Sequence, residues 1–289
     1  MQLDEEIPAH RPITRIFSGL ARILGWNRSS YVILGIFLLM VIMIIYVWWP
    51  IAEMVLAYID WNSDWWRYFD WLLVGIFTFM TFAIMAGADL RRDAWILLIG
   101  VIGGLVIEAW GTQTYIWSYF TEQRPPLWII PAWPIACLTI DRMTRGLNRL
   151  LPKNQDIWIN VYKFFYWLLF TFFGLLMILF VWQFMDRSMT IMACLLVGFL
   201  IITPVDHRSE VLIFLAGSAL GYFLEYWGTT SECWTYYTGQ TPPLFAVLAH
   251  GMASVAFWRS WNVLAMVQTK VFQYLSRRKP NQLGEMGQE

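Results

Sequence analysis

The sequence predicts an all-α polytopic membrane helix bundle, with eight transmembrane helices arranged as two parallel four-helix repeats. Three observations predict it. The 289 residues are 58% hydrophobic and only 14% charged, a composition suited to lipid contact rather than to a soluble core. Apolar segments recur along the whole chain between short polar stretches. Residues 89–127 also align without a gap on residues 206–244, at a shift of 117 positions, and 17 of the 39 pairs are identical. A duplication this clear sets the architecture.

The opening segment, 1–30, is polar, holds Asp4, Glu5 and Glu6, and does not read as a cleavable signal peptide. Within it, Ile13, Ile16, Phe17, Leu20, Ile23 and Leu24 stand at helical spacing around Arg15 and Arg22. That pattern predicts a helix over 13–26, on the inner leaflet or against the underside of the bundle. Eight apolar segments follow, near 31–49, 69–87, 94–111, 127–144, 160–182, 188–204, 210–228 and 244–262. Each approaches the roughly 20 residues that a crossing needs.

Lys and Arg set the orientation. With both termini inside, 17 of the 20 basic residues fall on the inner side, and only Arg67, Arg124 and Arg187 fall outside. This predicts a multi-pass protein of the inner (plasma) membrane with cytoplasmic termini. Four crossings separate equivalent residues, so the copies run in the same direction about a pseudo-twofold axis along the membrane normal. Repeat 1 covers 31–147 and repeat 2 covers 148–265, joined through the basic stretch 145–157. The polar residues 266–289 form a cytoplasmic tail. Zero net charge gives no pull toward nucleic acid. The bilayer is the expected partner, with a hydrophobic small molecule as a further one. Cys137, Cys194 and Cys233 show no metal spacing and read as free thiols.

Chemistry concentrates in the duplicated segment. Glu108-Ala-Trp110-Gly111-Thr112 recurs as Glu225-Tyr-Trp227-Gly228-Thr229, and Trp117-Ser-Tyr119 recurs as Trp234-Thr-Tyr236. Both glutamates lie about 14 residues into their helices, roughly 20 Å from the inner surface at 1.5 Å per residue. A carboxylate at that depth faces a partner, a cavity or a ligand. Gly104 and Gly221, one turn below, leave room for a helix or ligand to approach. Two roles are open for Glu108 and Glu225. They are structural pins bonded to their own Trp, Thr or loop, or they are general acid–base groups, since burial disfavours a charged carboxylate. His250 aligns with Trp133 and is the only histidine inside a span, at nearly the depth of Glu225. Glu225 with His250 could form a proton-transfer pair, which makes Glu225 the more sensitive of the two glutamates. The aromatic residues read singly as interfacial belt residues; their recurrence beside Gln123-Arg-Pro125-Pro126 and Gln240-Thr-Pro242-Pro243 reads as a folded cap that also lines a ligand site.

At the inner turns, Asp89 and Asp93 recur as Asp206 and Glu210. Acids at i and i+4 share a helix face and could hold Mg²⁺; the favoured reading is a helix N-cap with ion pairs to Arg91 and Arg208. No cofactor is otherwise implied, and one intramembrane histidine cannot supply a bis-His haem pair.

The Glu-x-x-Gly, Trp-x-Tyr-x-Thr and Pro-Pro sequence over Glu108–Pro126 and Glu225–Pro243 resembles the loop motif of membrane carotenoid hydratases and, more distantly, membrane lycopene cyclases. Tyr115, Trp117, Glu232 and Trp234 replace that family's glycines, and the cyclases' Pro-Glu-Glu is missing. The resemblance implies protonation of double bonds in long isoprenoids. The paired acids of the inner turns resemble those of UbiA-type prenyltransferases, without their fuller acidic motif. The sequence thus supports acid–base chemistry on an isoprenoid or other lipid, or a transporter with its pathway at the repeat interface, or a non-catalytic subunit with a Trp-rich outer face.

Overall fold

Each of the eight apolar segments is an α-helix in the computed structural model, which describes residues 19, 21–22, 24–151 and 156–277. The helices are α1 (Arg28–Ala57), α2 (Trp71–Met85), α3 (Leu90–Gln113), α4 (Ala132–Leu150), α5 (Asp156–Val181), α6 (Ser188–Ile202), α7 (His207–Thr230) and α8 (Leu244–Arg277). Local chemistry sets their starts. Asn27 and Ser30 close a capping box at α1, and the side chains of Asp70, Asp89 and Asp206 accept backbone N–H groups at α2, α3 and α7.

Four helices, α1, α3, α5 with its following 3₁₀ turn, and α7, are long and apolar enough to cross a membrane. They mark a multi-pass membrane protein. α2 and α6 are apolar but have 15 residues each. At 1.5 Å per residue they reach about 22 Å, short of a hydrocarbon core of about 30 Å. α4 lies five to six residues further along than the predicted segment 127–144, and two helices run well past their predicted ends. α1 continues through Pro50 to Ala57, and α8 continues past Gln268 to Arg277. The predicted helix over 13–26 lies largely outside the described residues, as do the linker residues 152–155 and the tail beyond 277.

Element boundaries recur at the shift of 117. α2 and α6, α3 and α7, and two short strands, β1 (Trp117–Tyr119) and β2 (Trp234–Tyr236), all obey it. The centre of the bundle is α3, α4, α7 and α8. α3 packs on α4 and α8, and α7 packs on α8 and α4. The outer hairpins attach differently. α2 seats against α4, whereas in the second half it is α5 that seats against α7 and α8. Phe170 and Phe173 of α5 pack on Phe214, at ring-centroid distances of 5.0 and 6.2 Å. The counterpart of Phe214 in the first half is Leu97. There an apolar cleft of about 400 Å³ remains between Ile36 and Met40 of α1, Leu97 and Leu105 of α3, and Pro131 and Pro134.

α3 and α7 end in the same cap. Ile116 N–H donates to Gly111 O (2.9 Å) and Cys233 N–H to Gly228 O (2.8 Å), each across one residue in the left-handed region. Those residues are Tyr115 (φ 62°) and Glu232 (φ 55°) rather than glycine. A side chain there costs about 1–2 kcal/mol. Glu232→Gly is therefore expected to stabilise the protein by about 1 kcal/mol. Equilibrium unfolding in mixed detergent checks this, and a lower midpoint would contradict the assignment of the cap.

Candidate functional site

The capping turns send the chain back over the ends of α3 and α7. β1 and β2 then pair antiparallel, Trp117 with Tyr236, Ser118 with Thr235 and Tyr119 with Trp234. Side chains alternate along a strand. In β1 this leaves Ser118 exposed while Trp117 and Tyr119 turn inward. Ser118 Oγ lies 3.3 Å from Thr235 Oγ1, its own counterpart at the shift of 117. The register is thus symmetric about this pair. The rings of Trp117 and Tyr236, and those of Tyr119 and Trp234, both sit 5.8 Å apart.

Beneath the strands lie the two glutamates, 3% and 4% exposed. Glu108 accepts from Trp117 Nε1 (3.1 Å), Tyr119 OH (2.9 Å) and Trp133 Nε1 (3.0 Å). Glu225 accepts from Trp234 Nε1 (2.8 Å) and Tyr236 OH (3.0 Å), and its Oε1 lies 2.9 Å from His250 Nε2. Both oxygens of each carboxylate are engaged. Trp133 and His250 stack on each other with centroids 5.5 Å apart and planes 17° from parallel. The two carboxylate sites therefore meet through the one pair of positions at which they differ.

The glycines make this possible. A Cβ on Gly104 would stand 2.4 Å from Trp133 Cγ, and one on Gly221 would stand 2.5 Å from His250 Cβ. A Cβ on Gly111 or Gly228 would stand 1.9 or 2.0 Å from the ring of Trp117 or Trp234. The space expected for a partner helix or a ligand is filled by the chain's own rings.

The other expected ligand contacts are used within the fold. Thr112 and Thr229 hydroxyls donate to the carbonyls of Glu108 and Glu225 (2.5 and 2.6 Å). Trp110 Nε1 donates to Thr190 Oγ1 (3.3 Å), and Trp227 Nε1 donates to Asp70. At the turns before α3 and α7, Asp89 and Asp206 cap their helices as the favoured reading expected, but the ion pairs differ from it. Asp93 is held by both terminal nitrogens of Arg142 (3.0 and 2.5 Å), and Glu210 by Nε (3.0 Å) and Nη2 of Arg259. Arg91 and Arg208 give their backbone N–H groups to the capping aspartates, and the Arg208 guanidinium donates to Asn148 and to the Leu151 carbonyl (3.0 Å). Among the described residues no cluster of three or more His, Cys, Asp or Glu is placed to hold a metal. All three cysteines are free, and burial pushes the Cys233 thiol up to about 12, so it stays protonated.

Sequence reasoning missed Trp133 as a donor and Arg142 and Arg259 as partners. The signal lay just beyond the aligned block, because Arg142 and Arg259 also stand 117 apart. No protein-family model, curated protein or solved structure matches this chain.

Chemically, the two glutamates are unequal. Indole and phenol donors alone surround Glu108. Glu225 has an imidazole within hydrogen-bonding distance, which donates to the carboxylate or accepts from the carboxylic acid according to tautomer. Gly111→Ala and Gly228→Ala are expected to destabilise by at least about 2 kcal/mol through overpacking, whereas Gly35→Ala, in open space, is expected to be neutral or better. Detergent unfolding of the three variants checks this, and equal midpoints would contradict the closed geometry.

Proposed function

We propose that this chain is an eight-crossing plasma-membrane protein, built as two parallel repeats with cytoplasmic termini. In it Glu225 and His250 carry out acid–base chemistry on an apolar, isoprenoid-like lipid. The observation that carries this reading is the 2.9 Å contact between Glu225 Oε1 and His250 Nε2, at the position where the first half has an indole, a hydrogen-bond donor that is neither acid nor base near neutral pH. The apolar cleft supports the substrate class. Its wall includes Pro134, and the neighbouring Trp133 stacks on His250. The basic residues support the orientation, since Arg142 and Arg259 lie at one end of the bundle and the strand pair at the other.

A second reading is favoured by the saturation of both carboxylates. Three partners on each glutamate fix its strand and the next helix of its own half, and the strand pair and the Trp133–His250 stack then join the halves, a clasp with no chemistry. Glu225→Gln separates the two. It keeps the shape and removes the proton. The acid–base reading expects normal accumulation and loss of the change in apolar-lipid profile that expression of the chain causes, with Glu108→Gln retaining at least a tenth of it. Full retention in Glu225→Gln, or failure of both variants to accumulate, leaves the clasp reading. Orientation is tested by single cysteines at Gln123 and Gln240, expected to label from outside. Labelling only from the cytoplasm would reverse the topology.

A further inference from the structure

At the end of the bundle away from the clasp, a cavity of about 200 Å³ lies where α3, α4, α7 and α8 meet. One wall is polar and comes from the first half: Arg92, Asp141, Thr144 and Arg145. The facing wall is aromatic and comes from α8: Phe257, Trp258 and Trp261. At the shift of 117, Arg92 corresponds to Ser209, Asp141 to Trp258, Thr144 to Trp261 and Arg145 to Asn262. Departures from the repeat thus gather around this cavity, although the neighbouring Arg142 and Arg259 are alike in both halves.

The polar wall has surplus positive charge and unused donors. Asp141 gathers Arg92, Arg142 (2.6 Å) and Arg145 (3.1 Å), and Arg142 also holds Asp93. Three guanidiniums therefore stand against two carboxylates. Thr144 is 8% exposed, and its hydroxyl has no hydrogen-bond partner. Arg145 Nε is buried and, despite its distance to Asp141, makes no aligned hydrogen bond. Buried polar groups left in this state are costly unless something completes them.

We propose that this cavity binds a phosphate group, held by Arg92, Arg145 and the Thr144 hydroxyl, with the carbon atoms next to it lying against Trp258 and Trp261. Guanidinium forks match phosphate oxygens in charge and in geometry. The volume is below the roughly 300–1,000 Å³ of sites that enclose a whole small molecule. The cavity therefore takes a head, and the rest of the ligand lies outside it. The inference is independent of the role given to Glu225 and His250.

The test uses the purified full chain in a neutral detergent. The shift of its thermal unfolding midpoint is read on adding phosphatidic acid, phosphatidylcholine or inorganic phosphate. The expected result is a saturable rise with phosphatidic acid and none with phosphatidylcholine. Apparent affinity should fall at least threefold in Thr144→Val and at least tenfold in the Arg92→Ala, Arg145→Ala double variant. If the double variant does not fold, Arg92→Gln with Thr144→Val gives the same comparison. A rise with inorganic phosphate alone would assign the site to the free anion, and a rise with phosphatidic acid alone would assign it to a lipid head. No rise with either, or variants that respond like the parent, would overturn the proposal.

Discussion

A carboxylate buried in an apolar helix bundle has to be hydrogen-bonded on all sides, and Glu108 and Glu225 are two such groups. An unpaired polar group in such surroundings costs several kcal/mol, and an unpaired charge costs more. Much of the local structure around Glu108 and Glu225 answers that demand. The helix must stop within a turn or two so that a strand can fold back. The strand must present Trp and Tyr at alternate positions so that both donors point down. Glycines must stand where those rings descend. The third donor has to come from the next helix, which ties α3 to α4 through Trp133 and α7 to α8 through His250.

The same helix pairs are tied again at their other ends. Asp93 to Arg142 joins α3 to α4, and Glu210 to Arg259 joins α7 to α8. The acids in each helix are 15 residues apart, which is about 22 Å along its axis. Removing one member of a buried pair of this kind costs about 3–5 kcal/mol because the other charge is left without a partner. Two pins per pair hold the centre of the bundle. The outer hairpins are tied to this centre by single indole bonds, Trp227 to Asp70 at the start of α2 and Trp110 to Thr190 of α6. α1 leaves a cleft where α5, with Phe170 and Phe173, closes the matching space.

The helices were legible from apolar length, and the starts of α3 and α7 from Asp89 and Asp206. The glutamates and their Trp and Tyr companions were legible because the motif occurs twice, and the equal depth of Glu225 and His250 pointed to their contact. Other features were not. A proline ordinarily ends a helix, yet α1 runs through Pro50 on a largely exposed stretch. Strands of three residues look like interfacial aromatics until their partner, 117 residues away, is known. Arg142 was visible only as a marker of the inner side, since contact between helices depends on how their faces meet and not on spacing along either one. The seating of the outer hairpins was hidden for a related reason. α2 and α6 are apolar all round, so no stripe tells which face turns inward.

Both halves close on one clasp in which a residue meets its own counterpart. Ser118 and Thr235 test it most directly, because directly opposed strand residues lie within the Cα range that a disulfide spans. In a background with Cys137, Cys194 and Cys233 replaced by alanine, the Ser118→Cys, Thr235→Cys double variant is oxidised mildly in the membrane and digested. An intramolecular cross-link between the two loop peptides is expected in most of the protein, identified by mass spectrometry and lost on reduction. Absence of that link in folded protein, or links formed only between separate chains, would contradict the shared clasp.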